Sequence, residues 1–328
     1  MEDAAEFIET VAYPTFGTIL LGGLSDQIRR MPLHTSAGLA YTDLGEGIET
    51  RTVVYLKKGE PRGYFNGAPL QFSEEYRSPF SVMNEYKDKI LGRFGLDNSY
   101  SLCFDSKNKG ILSGSSDSGA AALGKSIMEL YPEDLDSTAF ENRLRVVSES
   151  VGRSLYGGLT VTWAGDGICR TEKVLSAEDF SDYVILGCRF NEKRKPSDDI
   201  HTNIVKSSGY SGRVSGTRTK AEALVKLAKS MDLDSIFEMS MVDTDEYHAL
   251  NESVGVRIIT KEMDNVRKAV REYRSRGWAT YIITGGTNVF VPVHRSDQSD
   301  LRDYLKEYCP DIVNLKVAGE ARVIGKSF

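Results

Sequence analysis

Ile111-Leu112-Ser113-Gly114-Ser115-Ser116-Asp117-Ser118-Gly119 runs straight into Ala120–Leu130, an alanine-rich stretch with good helix propensity. Small residues let the backbone approach a ligand closely. A helix start adds unpaired N–H groups and the positive end of the helix dipole, so the two together make an anion site. The hydroxyls of Ser113, Ser115 and Ser116 add donors or a ligand for a hard cation. The stretch is not a Walker A loop, because no Gly-Lys-Ser/Thr follows at the required spacing and Lys125 lies too far along the helix. By residue type alone it reads equally well as a Ser/Gly turn capping a helix.

On either side the chain reads as strands mixed with helices. Phe16–Leu21, Gly38–Thr42 and Arg51–Leu56 are short, apolar or β-branched, and bounded by turn residues, as strands are. Phe140, Leu144, Val147, Val151 and Leu155 recur at helical spacing and predict one buried helix, stopped by Gly157-Gly158. Leu159–Trp163 and Tyr183–Arg189 read as strands. Asn191–Thr217 is dense in Lys, Arg, Ser, Gly and Asp and reads as a loop-rich passage between two domains, residues 1–190 and 191–328. Ala221–Met231, Ile236–Leu250 and Lys261–Arg276 carry helical apolar spacing. Ala279–Ile283 predicts a strand entering Thr284-Gly285-Gly286-Thr287-Asn288, followed by a strand over Val289–Val293, a helix over Leu301–Cys309 and a last strand. Without regular βαβ alternation, this order places the chain in the α+β class rather than among Rossmann folds.

Composition narrows the function classes. A length of 328 residues suits two modest domains, and 40% apolar with 27% charged residues is ordinary globular material. A formal net charge of −6 argues against a nucleic-acid partner, while leaving room for a local basic pocket. Cys103, Cys169, Cys188 and Cys309 form no CxxC pair and no zinc spacing, as expected of free thiols in a reducing cytoplasm. The N-terminal MEDAAEFIET is acidic, unlike a signal peptide, and the most apolar stretch, Phe16–Leu24, is too short to span a bilayer. No membrane partner is expected. His34, His201, His248 and His294 are scattered and form no nucleophile–base or HExxH signature.

Three segments carry a family resemblance. Ala12-Tyr13-Pro14-Thr15-Phe16-Gly17-Thr18-Ile19-Leu20-Leu21-Gly22-Gly23 is similar to the A-P-x-N-I-A-x-x-K-Y-W-G of diphosphomevalonate decarboxylases. Ser148-Glu149-Ser150-Val151-Gly152-Arg153-Ser154-Leu155-Tyr156-Gly157-Gly158 resembles their S-G-S-A-C-R-S-L-F-G-G, and Tyr281-Ile282-Ile283-Thr284-Gly285-Gly286-Thr287-Asn288 resembles their Y-T-F-D-A-G-P-N. The loop at Ser113–Gly119 is similar to the phosphate loop P-x-x-x-G-L-x-S-S-A-A of the GHMP kinase superfamily. The implied architecture is the two-domain GHMP kinase fold, an N-terminal ribosomal-protein-like α/β domain and a C-terminal ferredoxin-like α+β domain. The resemblance also implies a homodimer.

The departures fall on the chemistry. Where the decarboxylases have a lysine, an aspartate and the middle glycine of S-G-S, this chain has Leu20, Thr284 and Glu149; Arg153 is kept. With Ala12-Tyr13-Pro14-Thr15 and Pro32-Leu33-His34-Thr35-Ser36-Ala37-Gly38, this set resembles the archaeal mevalonate 3-kinases. That resemblance implies ATP and Mg2+ at Ser113, Gly114, Ser115, Ser116, Gly119 and Arg153, with Ser116 on the metal. It implies mevalonate against Leu20, Leu21, Glu149, Arg194 and Thr284, with Glu149, Arg153 and Arg194 as the catalytic set. By pattern alone, Glu149 and Arg153 are an i,i+4 pair on one helix, and Arg194 belongs to a solvated charge run. A planar guanidinium at Arg194 also suits a carboxylate clamp. Two other functions stay open: a diphosphomevalonate or bisphosphomevalonate decarboxylase that works without the acid–lysine pair, and a non-catalytic metabolite-binding protein.

Overall fold

Buried strand positions build two large sheets and a small two-stranded one, and the middle strands of the largest sheet are buried on both faces, with helices packed on each side. In the computed structural model the described residues are 6–132, 137–165, 167–191 and 195–328. The chain opens with β1 (Glu6–Ala12), β2 (Thr15–Ile19), β3 (Leu24–Asp26), β4 (Met31–Pro32), β5 (Ser36–Asp43), β6 (Glu49–Lys58), β7 (Gly63–Phe65) and β8 (Ala68–Leu70). Then come α1 (Pro79–Arg93), β9 (Tyr100–Lys109), α2 (Ser115–Leu130), α3 (Ser137–Leu144) and α4 (Val151–Tyr156). Strands β10 (Leu159–Gly165), β11 (Ile168–Leu175) and β12 (Tyr183–Arg189) precede four helices, α5 (Ser197–Ile204), α6 (Tyr210–Lys229), α7 (Leu233–Ser253) and α8 (Lys261–Tyr273). The chain closes through β13 (Asn288–His294), α9 (Gln298–Leu305), β14 (Ile312–Val317) and β15 (Arg322–Lys326).

One sheet runs β15-β1-β6-β9-β7-β8, and the other β11-β10-β5-β14-β12-β13 with β2 also on β5. The expected division at residue 190 is a boundary in chain order that the sheets cross: β14 pairs with β5, and β15 returns to pair with β1. Helix α2 is the central buried element of the first half. Its small Ala120, Ala121 and Ala122 are fully buried, and a Cβ at Gly124 would lie 2.3 Å from Leu144 Cδ1. Small residues are therefore what lets it sink onto β1 and β6. Ile8, Val54, Leu56 and Phe140 complete that core, while Met263, Val266, Leu301 and Leu305 pack α8 and α9 on β12 and β13. No described helix is long and apolar enough to cross a membrane.

Three expectations need correction. The single helix over Phe140–Leu155 is two, α3 and α4, separated by a turn. Arg145 causes the break: its Nη1 donates to the Glu149 carbonyl at 2.5 Å while Nη2 pairs with the buried Glu141, so the 145–149 peptide chain is drawn into a loop. Ser148 turns away to bond Asp117. Glu149 thus precedes α4 and does not share a helix face with Arg153. Second, Asn191–Thr217 is not a loop-rich passage, since α5 and the first turns of α6 occupy most of its described residues. Third, Ala279–Ile283 is held by isolated bridges, Ala279 to Val293 and Ile282 to Phe290, rather than as a continuous strand.

The Gly157-Gly158 stop holds for a physical reason. Both residues have positive φ, 63° and 64°, and a Cβ at Gly157 would lie 2.1 Å from the Gly319 carbonyl carbon. Gly157→Ala should cost at least about 2 kcal/mol of unfolding free energy, read by urea denaturation, because backbone strain and a backbone clash add. An unchanged denaturation midpoint would show that the turn can relax.

Candidate active site

Two clefts meet at the start of α2. Gly114, at φ 79°, caps the helix in the left-handed region, and a Cβ there would lie 2.3 Å from the Thr15 carbonyl oxygen, so no side chain fits. The first intrahelical bond is from Ser118 N–H to the Gly114 carbonyl, 3.3 Å. The N–H groups of Ser115, Ser116 and Asp117 therefore precede the hydrogen-bond ladder and form an anion-binding end. Tyr41 pins the approach: its hydroxyl donates to the Ser113 carbonyl at 2.7 Å and accepts the Ser113 N–H at 2.9 Å. One cleft, lined by Phe65, Leu70, Pro79, Phe104, Ser115 and Gly119, is apolar and suits a flat ring. Ser116 also lines the second, polar cleft, beside Gly114, Asp117, Glu149 and Arg153.

The second cleft gathers the sequence-predicted residues. Leu20, Leu21 and Thr284 line it, all nearly buried. Thr284 Oγ1 lies 3.2 Å from Ser113 Oγ, so the loop after residue 283 closes on the phosphate loop. Arg153 forms its floor. Its Nη2 donates to Ser36 Oγ at 3.1 Å, its Nε has no partner, and no ion pair to a described carboxylate is present. It fits there because Gly38 lacks a side chain: a Cβ would lie 2.6 Å from Arg153 Cδ. Burial pushes the guanidinium down, opposed by the charges of Asp117 and Glu149. A buried cation without a carboxylate partner is costly, and an incoming anion relieves that cost. Arg194 lies outside the described residues.

Several residues of this cleft were not expected from the sequence. Asp117 is buried and accepts hydrogen bonds from Thr15 and Ser148; burial raises its carboxyl, with Arg153 and the two hydroxyls pulling the other way. Glu149 accepts from Arg30 Nε at 2.9 Å, Arg30 Nη2 at 2.7 Å and His201 Nε2 at 3.0 Å. Burial alone would raise its carboxyl, but His201 and Arg30 outweigh burial and hold it well below the usual carboxylate range. Arg213 and Asp243, a buried ion pair at 2.9 Å, grip Leu20 by its main chain: Asp243 accepts its N–H at 2.8 Å and Arg213 donates to its carbonyl at 2.5 Å. The one sequence signal for any of these is the dipeptide Gly22-Gly23. It demands close neighbours, and the scattered His34 and His201 supply two of them, accepting the N–H groups of Gly22 (3.2 Å) and Gly23 (3.1 Å).

Residues 12–173 match the family model described as the diphosphomevalonate decarboxylase-like N-terminal domain, and residues 195–299 that of the mevalonate-3-kinase C-terminal domain. A mevalonate-3-kinase of Picrophilus torridus is 44% identical over 321 residues, covering 98% of each chain. The chain belongs to the mevalonate-3-kinase family. A mevalonate 3-kinase of Thermoplasma acidophilum is 42% identical over 293 residues, 89% of this chain and 90% of the relative. The crystal structure of the Thermoplasma acidophilum enzyme, with mevalonate 3-phosphate and ADP bound, superposes with a TM-score of 0.91 at 38% identity, covering 98% and 99% of the two chains. Mevalonate diphosphate decarboxylase of Staphylococcus aureus, at 19% identity and a TM-score of 0.82, shares the two-domain GHMP fold.

Arg153→Met tests the floor of the cleft. The substitution removes a buried cation without a carboxylate partner, and Asp117 can take up a proton in response, so the unliganded melting temperature should hold or rise. ATP should raise the wild-type melting temperature by mass action, and the variant should lose that shift as affinity falls at least about tenfold. A retained ATP shift would show that Arg153 does not face the nucleotide.

Proposed function

We propose that the protein transfers the γ-phosphoryl group of ATP to the 3-hydroxyl of mevalonate and releases mevalonate 3-phosphate without decarboxylation. The observation that carries this reading is the make-up of the polar cleft. It joins a guanidinium with no carboxylate in contact among the described residues and a helix N-terminus to an apolar and neutral wall, Leu20 and Thr284, with no lysine among its described lining residues. The family relatives are mevalonate 3-kinases, and the Thermoplasma acidophilum structure holds mevalonate 3-phosphate and ADP.

The chemistry follows from the cleft. The base and ribose of ATP enter between Phe65, Leu70 and Phe104, and the phosphates rest on the N–H groups of Ser115 and Ser116 with Arg153 beneath. The tertiary hydroxyl attacks the γ-phosphorus, the bond to the bridging oxygen breaks with its electron pair leaving on ADP, and the hydroxyl proton passes through a phosphoryl oxygen to water. The transition state is loose, so position and phosphate neutralisation do most of the work and no strong base is needed. Glu149 is unsuited to be that base, being held ionised by three N–H donors. It accepts a hydroxyl of mevalonate instead, and Arg194 clamps the carboxylate.

Magnesium in phosphoryl-transfer sites keeps phosphate oxygens and water as its main ligands, with one or two oxygens from the protein. The Ser116 hydroxyl and the Asp117 carboxylate are hard oxygen donors on the phosphate side and would hold it. The ion supplies neutralisation of phosphate charge.

Expelling carbon dioxide needs support for a developing cation, and neither Leu20 nor Thr284 carries a charge to give it. Incubation with ATP and mevalonate should give ADP and mevalonate 3-phosphate in equal amounts, with no carbon dioxide tied to turnover. Stoichiometric carbon dioxide would overturn the reading. Arg194→Ala should raise the KM for mevalonate by at least about tenfold, the scale of a lost charge-assisted hydrogen bond. An unchanged KM would remove Arg194 from the site.

A further inference from the structure

Glu149 is bound from behind by two side chains far away in sequence. Arg30 sits in the turn between β3 and β4 with a left-handed backbone, φ 53°, rare for a residue with a side chain. Its side chain is only 3% exposed. Nε and Nη2 both donate to Glu149 Oε2, and Nη1 donates to Asp198 at 2.6 Å in the first turn of α5. Asp198 in turn accepts from Arg77 at 3.3 Å. His201, three residues further on α5, completes the set. Its Nδ1 accepts the Gly23 N–H, so the ring proton must be on Nε2, which donates to Glu149 Oε1. The backbone thereby selects the tautomer that Glu149 requires.

A carboxylate has about four acceptor sites, and here side-chain donors take three. Oε2 is saturated by Arg30, so the acceptor atom that Glu149 can turn to the cleft it lines is Oε1, fixed in place by His201. We infer that Arg30 and His201 are positioning residues that set substrate selectivity: they leave Glu149 a single fixed acceptor, which receives a hydroxyl of the substrate and repels an anion there. This rests on the reading of mevalonate as the substrate. A strained backbone at Arg30 fits the same role, since such strain persists where the surroundings over-determine it. A phosphate at that end of the substrate would meet a carboxylate that can neither rotate away nor offer a donor. Like charges in a partly desolvated pocket repel strongly.

The two His201 variants divide its functions. His201→Asn keeps an acceptor near the Nδ1 position for Gly23 but cannot reach Glu149. His201→Gln reaches Glu149 with an amide N–H but loses the Gly23 contact. Initial rates with ATP and either mevalonate or mevalonate 5-phosphate should show the KM for mevalonate raised at least about tenfold in His201→Asn, with kcat within about threefold, because ground-state binding is what is lost. His201→Gln should recover most of that loss. The ratio of kcat/KM for the 5-phosphate over mevalonate should rise in His201→Asn, and in Arg30→Lys as the fork on Oε2 is lost. Equal KM values for both His201 variants, or a lowered melting temperature with unchanged KM, would overturn the inference and leave the kinase reading standing. If the wild type does not phosphorylate mevalonate, the kinase reading fails. Calorimetric affinity for mevalonate then decides the inference, and unchanged affinity in His201→Asn overturns it.

Discussion

The structure hangs on four residues of buried backbone that belong to no strand or helix, Leu20 to Gly23. Buried peptide groups must be hydrogen-bonded, and an irregular segment has no ladder to do it. Here side chains do. Leu20 is held by Asp243 and Arg213, the Gly22 carbonyl accepts from Tyr210 at 2.5 Å, and the N–H groups of Gly22 and Gly23 go to His34 and His201. Four of these five partners stand on α5, α6 and α7. The helices of the second half therefore cannot shift without stranding polar groups beneath β2. The glycines answer the same constraint: a Cβ at Gly22 would lie 2.9 Å from Ile204 and Tyr247, and one at Gly23 would lie 2.1 Å from the Tyr210 hydroxyl.

The buried charges then divide into two kinds. Arg213 and Asp243 pair at 2.9 Å, the half-buried Lys220 adds a contact to Asp243 at 3.0 Å, and Arg213 also lies over the Tyr247 ring. Arg145 and Glu141 do the same under the turn that presents Glu149. The charges of these groups are paired without a ligand, and they hold the walls still. Arg153 differs in its charge pairing: it is as buried as Arg213, yet among the described residues it bonds a serine hydroxyl and has no carboxylate in contact. Paired charges make a rigid frame, and the cation without a carboxylate in contact is where binding energy is to be gained.

What could be read in the sequence was local. Ser113–Gly119 as a loop that caps a helix, Gly157-Gly158 as a stop, and Tyr183–Arg189 as a strand all depend on residues adjacent in the chain. The break between α3 and α4 was hidden because the apolar spacing continues through it. The decisive event is the Arg145 side chain bonding a carbonyl four residues on. Likewise α5 sits in a polar stretch whose helix shows only weakly, since a short helix resting one face on Leu20 and Tyr247 needs few apolar residues, Ile200 and Ile204 among them. Arg30 and His201 stand 171 positions apart in the numbering and meet on one carboxylate. No periodicity or motif spacing reports such a meeting; only the family resemblance placed Glu149 in the cleft at all.

Leu20 shows how a backbone constraint becomes a chemical one. Because its peptide groups are fixed by Asp243 and Arg213, its side chain cannot retreat from the cleft that it lines. A cation at this position would stand in the same cleft as Arg153, where Glu149 is already hydrogen-bonded to Arg30 and His201. On the proposed reading, an apolar side chain avoids a second cation in the cleft and excludes water from beside the reacting hydroxyl. Phosphoryl transfer tolerates such a wall, because the charge that develops is on the phosphate side, over the N-terminus of α2 and Arg153. Loss of carbon dioxide does not tolerate it, because charge would then develop on carbon, against Leu20 and Thr284. On the proposed reading, the wall that completes the packing beneath α7 is thus also the wall at which the reaction stops.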